Sequence, residues 1–221
     1  MKLFKLFMTI FFVFLGVDMN GEPPTTQDLI DAANRRCYDV RGSIWDRFPF
    51  PDVIPQYMER YYKSSLGQRV LDVGSGTGVL ANWLANQGYS VLCIDPSLEM
   101  VQRCSKKGLQ ALQAKVQDFT TEEQFGTIFA ILSLIHVPKK DFDGQLQKLH
   151  TILMPNGLFF LGMLEGHEEK WIDKESEFPR FISFYTKEEI LKHTQGMFVL
   201  RDTYYTNTYG TGYFLFVFSK M

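Results

Sequence analysis

Two aspartates and a run of glycines carry the chemistry of this chain. Asp72 interrupts the apolar stretch Val70-Leu71-Asp72-Val73, and Gly74-Ser75-Gly76-Thr77-Gly78 follows at once. Val79 to Ala85 then has the apolar spacing of a helix. A strand, a glycine turn and a helix N-terminus let backbone approach a nucleotide closely. Ser90-Val91-Leu92-Cys93-Ile94-Asp95 reads as a second buried strand that ends in a carboxylate, followed by Pro96 and Ser97. In an open parallel sheet that carboxylate lies beside the glycine loop, where it can accept two hydrogen bonds from a ribose diol. Ser97 is the better N-cap for the next helix.

The glycine spacing departs from the dinucleotide fingerprint G-x-G-x-x-G, because Val79 fills its last glycine position. Asp72 would also repel a pyrophosphate, whereas a ligand carrying an ammonium group would be drawn to it. The pattern resembles the class I S-adenosylmethionine-dependent methyltransferases. The resemblance implies S-adenosylmethionine as cofactor, with its methionine end on Asp72, Gly74, Ser75, Gly76 and Gly78. It places the ribose on Asp95, next to Pro96. Val116-Gln117-Asp118-Phe119, after an expected strand Gln110–Ala114, matches the place where the family contacts adenine, so Asp118 and Phe119 are expected there. Met154-Pro155-Asn156-Gly157 resembles the family's turn into its fifth strand, with Asn156 in place of a glycine. Ser133 to Pro138, Pro179-Arg180-Phe181 and Tyr185 to Glu189 resemble one group of small bacterial methyltransferases. The N-terminal helices of the family lie over the cofactor and often hold a tyrosine–aspartate pair, here Tyr38-Asp39.

The elements that must position these residues follow from the same reading. The β–α–β–α–β–β–α–β alternation from 68 to 164 argues for a Rossmann-like, doubly wound α/β sheet. The family adds a closing hairpin, expected here as Met197–Thr206 and Gly212–Ser219 around a five-residue turn. The sheet then has seven strands, mostly parallel, with an antiparallel C-terminal strand. Residues 25–65 are expected to form a helical cover, 66–164 the cofactor-binding core, and 165–221 the substrate side and closing strands. Residues 165–184 read as a charged, irregular insertion that walls the substrate pocket.

Composition bounds the function classes. The chain has 221 residues, 45% hydrophobic and 15% aromatic, with a formal net charge of −2. That suits one packed α/β domain. Basic residues are scattered, so no nucleic-acid partner is expected. Three cysteines make no disulfide framework, and no clustered cysteine or histidine spacing points to a metal. The expected partner is a small-molecule substrate, and a monomer is favoured.

Residues 1–24 stand apart. Lys2 and Lys5 precede an apolar run from Leu6 to Val17, the length of a signal-peptide core, and Asn20 to Pro24 reads as a linker. Export conflicts with a methyl donor made in the cytoplasm. A real signal, a membrane anchor through residues 1–18, or a start at Met19 all remain open; the cofactor favours a cytoplasmic active site.

Methyl transfer is an in-line displacement whose main demand is alignment. A general base is needed only for an acceptor that arrives protonated. His136, directly after the fourth strand, is the candidate catalytic residue. Glu165 and His167 are candidates for the pocket wall, and Arg180 for a substrate carboxylate. Two other classes fit parts of the pattern: a non-catalytic S-adenosylmethionine-binding protein, and an NAD(P)-dependent oxidoreductase.

Overall fold

Strand β1, Arg69–Val73, is an inner strand of the sheet, and its sequence dictates its place: Val70, Leu71 and Val73 are buried, so both faces of the strand are covered. The computed structural model describes residues 26–45, 50–63, 66–173, 176–208 and 210–221. The apolar run near the N-terminus, its linker and the side chain of Trp45 lie outside what it describes. Around β1, strands β2 (Ser90–Asp95), β3 (Gln110–Gln113), β4 (Phe125–Ile131), β5 (Leu153–Leu164), β8 (Phe198–Thr208) and β9 (Thr211–Lys220) form one sheet in the order β3-β2-β1-β4-β5-β9-β8. Strands β1 to β5 run parallel, and β9 is antiparallel to both β5 and β8. This is the expected Rossmann-like sheet.

Side chains alternate across it into two cores. Leu71, Ile94, Ile128, Phe159 and Phe218 pack on one face with α5 (Lys139–Ile152) and α6 (Lys187–Thr194). Val70, Cys93, Phe129, Phe160 and Val217 pack on the other with α2 (Ile54–Tyr61) and α3 (Val79–Asn86). Helix α1 (Thr26–Trp45), kinked at Arg41, lies against α4 (Leu98–Lys106). Ser97 caps α4 by accepting from the Met100 amide at 3.2 Å. Thr186 and Glu189 form a reciprocal capping box at α6.

Two expectations need correction. The hairpin strands pair as far as Thr208 with Thr211, so the chain reverses more tightly than a five-residue turn. Gly210, at φ +78°, permits it. The segment after β5 is not wholly irregular. It holds a two-stranded ribbon of β6 (Glu169–Ile172) and β7 (Arg180–Ser183), each too short and too charged to stand out from a loop.

Asn156 adopts φ +59° at the turn inside β5, and a Cβ on Gly157 would meet the Leu153 side chain and the Met154 carbonyl at 2.8 Å. One residue therefore supplies the left-handed backbone and the other the space. Asn156→Gly should preserve stability, whereas Asn156→Val should lose about 1–2 kcal/mol in urea unfolding. Equal stability of the two variants would show that the turn relaxes without cost.

Candidate active site

The sheet changes direction between β1 and β4, since β2 and β3 extend one way and β4 and β5 the other. A crevice opens there at the carboxyl ends of the strands. It holds a cavity of about 1420 Å³, bounded by the ends of β1, β2, β4 and β5 and by α1 and the β6–β7 ribbon. Single-ligand pockets usually measure about 300–1,000 Å³, so this one has room for two molecules side by side.

Asp72 is the unusual group in it. Its register neighbours are Cys93 on β2 and Phe129 on β4, both fully buried. Asp72 itself is 3% exposed, and its Oδ2 has no protein hydrogen-bond partner. Burial raises its pKa to about 8, with the Cys104 thiol and Asp95 adding to the rise. An uncompensated carboxylate in the middle of a dry sheet is costly, and a cation entering the cavity removes that cost.

The glycine loop that follows has a division of labour. A Cβ on Gly74 would collide with Ser133 of the β4 loop, and one on Gly78 would meet Cys104 Sγ at 2.8 Å and Leu109 at 2.9 Å. These two glycines permit close packing. Gly76 differs: at φ +53° a Cβ would meet no protein atom within 4 Å, because it would project into open space. Gly74, Ser75, Gly76, Asp95 and Pro96 line the cavity, whereas Gly78 lies behind it as the residue preceding α3.

Asp95 accepts from the Gly76 amide through Oδ2 and from the Ser97 amide through Oδ1, both at 2.9 Å. A carboxylate offers about four acceptor positions, so roughly two remain for a diol. Burial raises Asp95 to about 6, against the lowering effect of those two amides.

The cover is tied down by side chains from consecutive turns of α1. Asn34 accepts from the Phe181 amide at 2.8 Å and donates to its carbonyl at 3.4 Å. Asp39 accepts from the Ser97 hydroxyl at 2.6 Å. Tyr38 meets His136: their Oη and Nε2 are 2.7 Å apart. His136 Nδ1 lies 2.9 Å from the Phe181 carbonyl, which can only accept, so Nδ1 carries the proton and Nε2 accepts from Tyr38. Burial lowers His136 to about 4 and leaves the ring neutral near pH 7, and burial also raises the Tyr38 phenol. His136 lines the cavity, yet both of its ring nitrogens are already engaged.

Other expected residues fall elsewhere. Asp118 points to solvent, its side chain 62% exposed and 3.7 Å from Lys115, and Phe119 is buried in the core. Neither lines the cavity; Lys115, Val116 and Gln117 do. The chain turns at residues 116–118, a short way after β3, which carries residues 118 and 119 past the opening. Glu165 accepts from Tyr205 at 2.7 Å, and neither it nor His167 lines the cavity, whereas Arg180 does. Sequence reasoning missed Asn34 and Ser133, whose places depend on contacts with residues far along the chain. Among the described residues no three histidines, cysteines or acids are grouped to hold a metal ion.

Residues 70–157 match the methyltransferase-domain family. The ubiquinone biosynthesis O-methyltransferase of Citrobacter koseri is 25% identical over 170 residues, covering 70% of this chain and 69% of that protein. Its counterpart from Salmonella paratyphi A is 24% identical over the same length and the same shares. Among solved structures, a Burkholderia thailandensis 1,6-didemethyltoxoflavin-N1-methyltransferase with bound 1,6-didemethyltoxoflavin and S-adenosylhomocysteine superposes with a TM-score of 0.70. It is 18% identical, and 90% of this chain and 92% of that one are covered. Magnesium protoporphyrin IX methyltransferase from Synechocystis, with bound S-adenosylmethionine, gives 0.66 at 14% identity, covering 90% and all of the respective chains. These structural likenesses speak to the fold.

Asp72 also sets a pH dependence. Its folded value lies above the ordinary 3.8, so its contribution to stability is full below about pH 4 and is lost as pH rises through about 8. Asp72→Asn should therefore flatten that decline in the ligand-free protein. A gain of about 1–2 kcal/mol would raise the midpoint at pH 8 by about 2–8 °C. A lower midpoint in the variant at pH 8 would mean that Asp72 is ionised and well compensated without ligand.

Proposed function

We propose that this chain, which belongs to the class I S-adenosylmethionine-dependent methyltransferases, methylates a small-molecule acceptor bound beside Tyr38. The observation that carries this reading is the orphaned carboxylate of Asp72 beside a glycine loop open at Gly76, with Asp95 next to it. Those groups fit S-adenosylmethionine: Asp72 for the ammonium, Gly74, Ser75 and Gly76 for close backbone approach, Asp95 and Pro96 for the ribose. Val116 and Gln117 take the adenine side in place of Asp118 and Phe119. When bound, S-adenosylmethionine supplies a methyl carbon already activated by its sulfonium.

The chain's own work is alignment, exclusion of water and handling of one proton. Helix α1 covers the cavity, and its Tyr38 is one of the lining residues. The Tyr38 proton is directed to His136 Nε2 and Arg180 is a second hydrogen-bond partner of the Tyr38 oxygen, so one lone pair is left for an acceptor O–H or N–H. As the acceptor attacks, its proton passes to the Tyr38 oxygen while the Tyr38 proton passes to His136 Nε2. An imidazole titrating near 4 is a weak base toward water, but a hydroxyl that is gaining a methyl group becomes a strong acid. A weak base suffices. Tyr38 thus touches the acceptor, and His136 acts through it.

We read residues 25–221 as one methyltransferase unit of cover, core and substrate side. We read it as a monomer that works in the cytoplasm, where its methyl donor is made. No helix among the described residues is long and apolar enough to cross a membrane.

The test is release of S-adenosylhomocysteine across a panel of hydroxyl- and amine-bearing metabolites. Wild type should turn over at least one of them. His136→Gln should slow that turnover by about 10²–10⁴-fold while cofactor affinity stays within a few-fold. Failure to bind S-adenosylmethionine would remove the cofactor assignment, and wild-type turnover in the Gln variant would remove the proton relay.

A further inference from the structure

The β6–β7 ribbon has a face that the methyl-transfer chemistry does not use. Its register pairs Lys170 with Ile182 and Ile172 with Arg180. Side chains alternate across paired strands, so these four share one face. All four line the cavity, together with Phe184 beyond the end of β7. The opposite face carries Trp171 and Phe181, whose rings meet edge-on at 5.7 Å, and Asn34 grips the Phe181 peptide. The ribbon's orientation is therefore fixed from behind. What it presents is an apolar patch of Ile172, Ile182 and Phe184 flanked by two cations. Arg35 of α1 adds a third cation to the lining.

The acids of the lining do not cancel this charge. Asp72 and Asp95 serve the cofactor, Asp31 is paired with Lys115 at 2.6 Å, and Asp141 lies 3.9 Å from Lys140. Lys170 is paired with Glu168, and Arg180 with Asp173 at 3.2 Å, but those two acids are 61% and 43% exposed. Pairs with exposed acids are weak, whereas the Arg180 side chain is only 18% exposed. A carboxylate inside the cavity can take the guanidinium from Asp173 and hold it through two parallel hydrogen bonds.

We propose that this ribbon is the acceptor wall and that it selects a small carboxylate with an apolar body, Arg180 being the partner of the carboxylate. The proposal rests on the methyltransferase reading above. Its test uses the full chain saturated with S-adenosylhomocysteine and two matched probe pairs: 4-hydroxybenzoate with its amide, and 3,4-dihydroxycinnamate with its amide. Calorimetric affinities should favour each carboxylate by about 10-fold or more. Arg180→Gln should erase that preference and leave the amides within about twofold, which also shows that the variant is folded. Arg180→Lys should keep part of the preference. Equal affinities within the pairs, no measurable binding of either carboxylate, or an unchanged preference in Arg180→Gln would overturn the proposal. Failure of S-adenosylhomocysteine itself to bind would overturn the methyltransferase reading instead, so the two failures are distinguishable.

Discussion

A carboxylate held dry in the middle of the sheet governs this molecule. Asp72 sits between Cys93 and Phe129 in register, on a strand covered on both faces. Apolar burial around it supplies the stability that tolerates such a group. The electrostatic cost is kept low while the carboxyl stays protonated, and it reappears when the proton leaves. A bound cation reverses that balance. The glycine loop and the crevice beyond β1 can be understood as the route by which one reaches Asp72.

One short stretch of α1 joins the two halves of the cavity. Asn34 and Tyr38 are four residues apart and lie on the same side of the helix. They hold the ribbon and the β4 loop, while Asp39 holds the β2 loop at Ser97. The Phe181 peptide is shared, because its carbonyl also fixes the His136 ring. The cofactor side and the acceptor side are thus braced by the same helix. A change in the ribbon reaches His136 through the Phe181 carbonyl and through Arg180, which acts on both Tyr38 and His136.

Much of this was legible in the sequence where the signal was local. Asp72, the glycines and Asp95 each belong to an unbroken strand–turn pattern, and the parallel, doubly wound sheet followed from the alternation of elements. The capping role of Ser97 was local as well. What escaped depended on distance along the chain or on small offsets. The engagement of both His136 nitrogens depends on Tyr38 and Phe181, 98 and 45 positions away. The ribbon strands have four residues each and no apolar periodicity long enough to read. After β3 the chain turns at residues 116–118, so that Val116 and Gln117 line the cavity and Asp118 and Phe119 do not.

The central claim is that Asp72 waits as a buried acid for a ligand's ammonium. Binding should then ionise it and release its proton. Titrating the ligand-free protein with S-adenosylhomocysteine at pH 7, in buffers of different ionisation enthalpy, measures that proton directly. The account predicts release of close to one proton per site, most of it lost in Asp72→Asn together with much of the affinity. A binding enthalpy that does not depend on the buffer, with affinity unchanged in Asp72→Asn, would contradict it.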